Sequence, residues 1–369
     1  MTAAACSEEG DSEVAPAEVP TFEGTIELEV GRMDGEDPYL FSAIGDVVVD
    51  EGGRVIVADR QTSEIRVFEP DGDFAFLFGG PGEGPGEMTD PNGLQFGPDG
   101  ELWVRESVRY SVFRLDSEGA EFLRVLRSLN PGYLGLIDPF TFDADGQLVA
   151  VGPVRDADDV SFEARLRLRH DGAVDTVIMA DQERQRAGQR TERFSREGMR
   201  GVYYLHAPFG PRWIRAHANG GTWAEAVSTE YSINYHHPDG TVSVIEGPEL
   251  QGPAPSPDER AGAERRMERE RDRAGLRDHP FSIPDHKAPL ARMFFDRSGR
   301  LWIEKTGEDG AETREADVYE GTTLAARYRW PSRIQYWPTP EIVDSALYGV
   351  TADSLGVQRV ARVRFRVVN

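Results

Sequence analysis

The chain has 369 residues and a formal net charge of -24, from 65 acidic and 41 basic side chains. This negative charge opposes sequence-independent binding to nucleic acid or to anionic lipid, so we expect no nucleic-acid partner. Hydrophobic residues make up 39% of the chain, and no apolar run reaches the roughly 20 residues of a membrane-spanning helix. Nearly all cations are arginine, since Lys287 and Lys305 are the only lysines. An acidic, lysine-poor surface favours a soluble monomer and fits an extracellular setting, although a GC-rich genome explains the same bias.

The first segment, residues 1–20, is small, acidic and proline-containing, without periodicity, which predicts a disordered acidic tether. Within it, Ala3–Cys6 resembles the cleavage box of a bacterial lipoprotein, in which the cysteine carries the lipid. The resemblance implies lipid attachment at Cys6 and a location in the periplasm or at the cell surface. The alternatives are an unmodified cysteine in a flexible tail and, if Met1 is the true start, a cytoplasmic module. Because Cys6 is the only cysteine, no disulfide forms within the chain.

Residues 21–369 contain an internal repeat of apolar strand, Asx/Gly turn and apolar strand, seen clearly in Val47–Val57, Leu94–Val104 and Met293–Ile303. The turn requires a positive φ, which a glycine at or just after Asp or Asn supplies. The six turns are centred on positions 53, 100, 146, 221, 299 and 345, and their spacings are 47, 46, 75, 78 and 46. Two of the spacings therefore carry insertions, and in the last copy Ser345 stands in the place of glycine.

A second hairpin follows each of the first five units, as in Ile65–Phe78 around Pro70–Gly72. Four antiparallel strands at a period of about 45 residues are typical of a propeller blade, so six units predict an all-β, six-bladed β-propeller. The sixth unit ends with Val357–Val368 as its third strand, while Thr25–Val30 is a strand without a partner. An open ring would leave two sheet edges with unpaired backbone groups. We therefore predict that Thr25–Val30 completes the last blade.

Two motifs are similar to those of a known family. Phe78–Met88 resembles the glycine-rich linker between the first two blades of NHL-type six-bladed propellers, including secreted and lipid-anchored bacterial ones. Asp296–Ile303 resembles the inner hairpin of the same family. The resemblance implies the fold and specifies no chemistry. Gly79–Gly86 lacks the Lys-Ser/Thr ending of a phosphate-binding loop, so its glycines are interpreted as turn formers.

The long connections all join one blade to the next, which places them on one face of the ring, here called the upper face. The largest are the insertions at 181–203 and 249–289. Loops carry function on a rigid scaffold, so we expect the upper face to bind the ligand. The alternative is that these loops have no function and are long only because lengthening a loop costs little free energy. Within the second insertion, Ser256–Glu259 is a capping box that predicts a helix over 256–275, as a solvated lid or bracket above the mouth.

Candidate site residues are those that begin the inner strands, because they are expected to ring the upper mouth of the central channel. They are Asp46, Asp90, Asn92, Asp138, Arg212, Arg292 and Glu341. A ring of carboxylates and amides resembles the single-calcium centre of propeller lactonases, where Ca²⁺ would polarise an ester carbonyl. By contrast, His236 and His237 are adjacent strand residues that point to opposite faces and are poorly placed to share a metal. The recurring Trp103, Trp223 and Trp302 are interpreted as packing between blades.

These patterns favour a non-enzymatic binding scaffold outside the cytoplasm that recognises a protein, peptide or glycan through its upper-face loops. Such a scaffold requires no cofactor, and it contacts a membrane only through a lipid on Cys6. The alternative is a calcium-dependent hydrolase or lyase that acts at the channel mouth.

Overall fold

The computed structural model describes residues 19–106, 109–127, 139–155, 161–179, 181–196, 199–274 and 282–368. Apolar strands joined by tight turns form the six antiparallel four-stranded blades of a β-propeller, of which four are separate sheets and two are joined in one eight-stranded sheet. Cys6 and Asp138 lie outside the described residues. Among the helices of the described part, none combines the length and the apolar character needed to cross a membrane.

The first three blades follow one another along the chain, each with its innermost strand first. Their strands are β2 (Ile44–Val49), β3 (Val55–Asp59), β4 (Glu64–Phe68) and β5 (Phe74–Gly79); β6 (Gly93–Phe96), β7 (Leu102–Arg105), β8 (Arg109–Leu115) and β9 (Ala120–Arg127); β10 (Thr141–Phe142), β11 (Leu148–Arg155), β12 (Ser161–Leu168) and β13 (Val174–Met179).

The last three blades use the same order, except that the outermost strand of blade six comes from the other end of the chain. Their strands are β16 (Trp213–His217), β17 (Trp223–Val227), β18 (Ser232–His236) and β19 (Val242–Glu246); β20 (Leu290–Phe295), β21 (Leu301–Lys305), β22 (Thr313–Glu320) and β23 (Thr323–Pro331); β24 (Glu341–Val343), β25 (Ala346–Ala352), β26 (Gln358–Val368) and β1 (Thr21–Val30).

The ring is closed by its two termini, as predicted. β1 runs antiparallel to β26, from Thr21 opposite Val368 to Val30 opposite Val360. Its first residues also pair in parallel with β23 of blade five, where the ring of Phe22 stacks on Tyr328 with centroids 4.6 Å apart. The N-terminal strand therefore links the last two blades as well as covering the edge of the last one.

The inner turns have the predicted left-handed residue, with φ of 83° at Gly53, 74° at Gly100 and 82° at Gly299. The sixth turn differs from the prediction that Ser345 takes the glycine position. β24 and β25 are joined by two residues only, and the positive φ of 54° falls on Asp344. Asp tolerates this conformation better than most residues because its short side chain can hydrogen-bond locally.

The two insertions fold into structure of their own. The first forms α1 (Gln182–Gln185) and a separate two-stranded sheet of β14 (Gln189–Arg196) and β15 (Met199–His206) between blades three and four. The second contains α2 (Pro257–Ala274), close to the predicted 256–275.

Apolar clusters fill the spaces between neighbouring blades. They lie between blades one and two, two and three, four and five, five and six, and six and one. Trp103 belongs to the cluster of blades two and three and Trp302 to that of blades five and six, which agrees with their predicted packing role. Trp223 lies between blades three and four, where the described residues form no such cluster.

Candidate functional site: the upper face

The upper face is set by the topology. In a four-stranded meander the fourth strand runs opposite to the first, so each blade ends on the face where it began. The connections 80–92, 180–212, 247–289 and 332–340 therefore all reach this face, together with the links between second and third strands. Both insertions are among them, as the sequence predicted.

A cleft of about 620 Å³ opens on this face above blades four and five. We call it the upper-face cleft. Its walls combine apolar side chains and prolines with a few polar groups, which is the usual make-up of a ligand pocket. Its lining residues are Phe209, Gly210, Pro211, Thr229, Glu249, Leu250, Gln251, Gly252, Pro284, His286, Lys287, Ala288 and Pro289.

Backbone hydrogen bonds at the cleft join the connection 180–212 to the connection 247–289 and tie the two ends of 247–289 together. The amide of Ala288 donates to the carbonyl of Phe209 at 3.0 Å, and the amide of Lys287 donates to the carbonyl of Pro253 at 2.8 Å. At the closest approach, a Cβ on Gly252 would lie 2.0 Å from the carbonyl oxygen of Lys287. Only glycine allows the two ends of this connection to meet there, because real Cβ atoms do not approach backbone so closely.

Helix α2 braces the cleft from outside. Its capping box is formed, since Glu259 N donates to Ser256 Oγ at 3.1 Å and Ser256 N donates to Glu259 Oε2 at 2.8 Å. Glu259 also pairs with the buried Lys287 at 2.8 Å, and Ser256 Oγ donates to Asp309 of blade five at 2.6 Å. Ala263 and Met267 are the buried apolar side chains of the helix. These contacts fix a helix that is otherwise polar on all sides.

The same helix approaches the start of blade four. Burial and the charge of Arg212 lower the pKa of His206, and the carboxylate of Glu270 in α2 opposes this shift. Arg212 is exposed, and its amide donates to Ser228 Oγ at 2.9 Å. Glu270 of α2 and the predicted mouth residue Arg212 thus both lie within electrostatic range of His206.

Two other predicted mouth residues surround the connection 332–340. Asp90 forms a two-point pair with Arg60, at 2.7 and 3.2 Å, and the guanidinium of Arg60 lies 5.6 Å from the ring of Trp337. Arg292 pairs with Glu304 at 2.6 Å and donates to the carbonyl of Tyr336 at the same distance. Tyr336 and Trp337 are adjacent in this connection, and sequence reasoning missed them. Their only signal in the sequence is their position just before the last inner strand.

Asn92 is buried and has a structural role. Its Oδ1 accepts from Arg105 Nε at 2.9 Å, and its amide donates to the carbonyl of Asp90 at 3.1 Å. Asn92 therefore orients the loop that carries Asp90.

Asp46 and Glu341 lie along the channel and interact electrostatically. Asp46 accepts from the amides of Val47 at 2.9 Å and of Leu94, on the next blade, at 2.8 Å. Burial raises the pKa of Asp46 to about 6 against these hydrogen bonds. Burial likewise raises the pKa of Glu341 to about 7; the nearby Arg297 opposes this shift and the charge of Asp46 adds to it.

Glu341 is nearer the lower end of the channel than the sequence suggested. Its partner Arg297 lies in the inner turn of blade five, on the face opposite the insertions, and also donates to the carbonyl of Val49. The reason is the shortness of β24, which has three residues and places Glu341 close to its own turn. Arg297 therefore ties blades five, six and one together at the lower mouth.

The mouth residues that the structure describes do not form a calcium cage. Across the described residues, no group of three or more His, Cys, Asp or Glu side chains is arranged to hold a metal ion. The carboxylate oxygens of Asp46, Asp90 and Glu341 accept hydrogen bonds from protein donors, in three different places. Calcium needs six to eight convergent oxygen ligands, so these residues do not fit the ion, and we derive no step through it.

The two histidines behave as their spacing predicts. His236 stacks on Trp223, with ring centroids 3.6 Å apart, whereas His237 contacts Ser243 Oγ through Nε2 at 2.8 Å. The glycine-rich linker is a turn, since the amide of Gly84 donates to Glu87 and Arg109 donates to the carbonyl of Glu87 at 2.9 Å. Neither motif contributes to the upper-face cleft.

Comparison with known proteins agrees with the fold. The model of the family DUF5128, described as a 6-bladed beta-propeller, matches residues 21–127, which span β1 to β9. No curated protein matches the chain in sequence.

Solved structures give weak resemblances over the whole length. A protein of Bacteroides fragilis, named only as a candidate exported protein, is 10% identical, with a TM-score of 0.48 and coverage of 95% of this chain and 100% of that one. Virginiamycin B lyase from Staphylococcus aureus, bound to quinupristin, is 12% identical, with a TM-score of 0.44 and coverage of 93% and 99%. Regucalcin from Agrobacterium tumefaciens, a calcium-binding protein, is 11% identical, with a TM-score of 0.42 and coverage of 94% and 97%. Likeness at this level says nothing about ligand or activity. By its topology, which agrees with the matched family model, the chain is a six-bladed β-propeller.

Proposed function

We propose that this protein is a non-enzymatic binding scaffold that takes a segment of a protein, a peptide or a glycan into the upper-face cleft. The observation that carries the proposal is the construction of the cleft. It is built entirely from connections and insertions, has the size of a ligand pocket, and is braced by a helix that the propeller itself does not need.

The chemistry of the cleft supports binding. Phe209, Leu250 and the flanking prolines offer apolar contact, while Glu249, Gln251 and His286 offer polar contacts at the rim. The proposed location is outside the cytoplasm with a lipid on Cys6, which the tripeptide before that cysteine supports. Mass spectrometry of the native N-terminus tests the lipid directly.

The ligand class is tested by screening the full chain against peptide and glycan arrays and comparing wild type with Thr229→Trp. Thr229 is an exposed residue of the cleft wall, so an indole there fills the space without disturbing the core. Thr322→Trp is the matched control, because Thr322 is an exposed residue in the turn between β22 and β23.

We expect the arrays to identify a ligand that wild type and Thr322→Trp bind equally well. Thr229→Trp should bind it at least tenfold more weakly, a loss of about 1.4 kcal/mol in binding free energy. Equal binding by all three would remove the cleft as the site. The absence of any peptide or glycan ligand would remove the proposed ligand classes.

A further inference from the structure

The surface between blades three and four differs from the other five interfaces. Charged and aromatic side chains, rather than an aliphatic cluster, face each other there around a small cavity of about 10 Å³. We call this surface the polar seam. The residues that line its cavity are Val151, Glu163, Ala164, Arg165, Trp213, His217 and Trp223.

Arg165 is a buried cation without a close carboxylate partner in the described part of the chain. It is 6% exposed, its guanidinium lies 5.5 Å from the ring centroid of Trp223, and one terminal nitrogen donates to the carbonyl of Gly221 at 3.3 Å. Its Nε has no hydrogen-bond partner among the described residues. Burial lowers its pKa to about 10, and the more distant charge of Asp143 opposes the shift. Burying a charge in this way is costly unless another charge compensates it.

Arg167, two residues further along the same strand, is an arginine whose charge is balanced by nearby carboxylates. Its guanidinium lies 2.8 Å from Asp175 and 3.7 Å from Asp143. Arg167 therefore has two carboxylates, whereas the more deeply buried Arg165 has, among the described residues, a single carbonyl and an aromatic face.

His217 lies beside Arg165 in the seam. Its ring is nearly parallel to Trp223, with centroids 6.0 Å apart, and neither ring nitrogen has a hydrogen-bond partner among the described residues. Burial is the main reason that the pKa of His217 falls well below its usual range, with the charges of Arg165 and Arg215 adding to the effect. The neutral ring offers one N–H donor, and an anion beside it would favour its protonation.

The carboxylates of the seam are engaged with other groups. Glu225 accepts from Trp213 Nε1 at 2.8 Å and lies 3.3 Å from Nε2 of His236. Glu163 forms an ion pair with Arg215. Each of these acids thus faces a donor other than Arg165.

We propose that the polar seam holds one halide ion between the Nε–H of Arg165 and the N–H of His217. The cavity is smaller than a pocket for a drug-sized ligand, which fits a single compact charge. The aromatic faces of Trp213 and Trp223 limit access of water, so a charge-assisted hydrogen bond in this position is strong. The seam and the upper-face cleft share no lining residue, so this proposal does not depend on the proposed function.

The test is chloride binding by the full chain, followed through the line width of the ³⁵Cl resonance at constant ionic strength. Gluconate, which is too large for the cavity, replaces chloride in the reference buffer. We expect saturable broadening with wild type and with the control Arg167→Gln, and at least tenfold weaker binding with Arg165→Gln.

A second measurement needs no variant. The pKa of His217, followed by NMR, should be higher in chloride than in gluconate by at least half a unit, because the bound anion stabilises the imidazolium. The charged groups on the strands around it are Glu163 and Arg165 of β12, Arg215 of β16, Glu225 of β17 and His236 of β18. An unsaturable chloride signal, equal loss in both arginine variants, or an identical His217 pKa in the two salts would overturn the proposal.

Discussion

Gly24 lies directly opposite Phe365 where the first strand meets the last. A Cβ at position 24 would fall 2.5 Å from Cγ1 of Val363 and 2.8 Å from the ring of Phe365. Both neighbours belong to the apolar cluster between blades five and six, so neither side chain can move freely. The closure of the ring thus depends on the absence of a side chain at one position.

Replacing that glycine should weaken the closure. We expect Gly24→Val to lower the free energy of unfolding by about 1–3 kcal/mol, the usual cost of overpacking a core, as measured by urea denaturation. Thr25→Val is the control, because residue 25 is exposed on the other face of the same strand. Equal stability of the two variants would mean that β1 is not held against β26 as described.

The fold was predictable because its signals are local. The strands alternate in polarity and each inner turn needs a positive φ, so glycines such as Gly53 and Gly299 mark the blades in the sequence itself. The place of Thr25–Val30 follows from the number of strands, since the sixth unit has only three of its own and a closed ring needs a fourth. The sixth turn was only partly predicted, because Asp344 rather than Ser345 takes the left-handed conformation.

The sites were less predictable because they are made by residues far apart in the chain. Phe209 and Lys287 meet only when two insertions fold over blades four and five, and neither stands out in the sequence. Trp223 looks equivalent to Trp103 and Trp302, and only the structure shows that its neighbours are Arg165 and two histidines. The Arg-rich segment of the first insertion gave no sign of the two-stranded sheet that it forms.

The brace on the upper-face cleft should depend on the N-terminal cap of α2. Ser256→Ala removes both the cap and the bond to Asp309, and losing such a cap costs about 1 kcal/mol. We expect faster amide exchange throughout 257–272 without a change in the exchange of blades one and two. Ser256→Thr keeps the hydroxyl and should restore protection. Exchange that is already fast in wild type would show that α2 is not fixed to the ring.

Calcium should leave the protein unchanged. Because the carboxylates of Asp46, Asp90 and Glu341 face protein donors and do not converge, we expect the same melting temperature in excess Ca²⁺ and in EDTA. A ligand that binds only the folded state raises the melting temperature by mass action, so the comparison is sensitive. A clear rise in Ca²⁺ that Asp90→Asn abolishes and Asp145→Asn preserves would favour the calcium-dependent enzyme instead.

The two channel carboxylates should make stability depend on pH. The pKa values of Asp46 and Glu341 are raised to about 6 and about 7, from ordinary values of 3.8 and 4.5. Between about pH 4 and pH 7 the folded protein therefore holds more protons than the unfolded chain. These two groups should therefore lower the free energy of unfolding as the pH rises through this window, by up to about 1.4 kcal/mol per pH unit for each group. The lowered pKa values of His206 and His217 act in the opposite direction, so the contribution of each carboxylate is measured by removing it.

Urea denaturation across pH 4 to 8 measures this slope. Asp46→Asn and Glu341→Gln remove one titrating group each, so each should flatten the slope even where it lowers the absolute stability. Asp145→Asn, at an exposed turn position, should leave the slope as in wild type. If Asp46→Asn and Glu341→Gln instead keep the slope of wild type, both carboxylates are ionised in the folded protein throughout the window. Arg297 and the backbone amides would then outweigh burial at the centre of the ring.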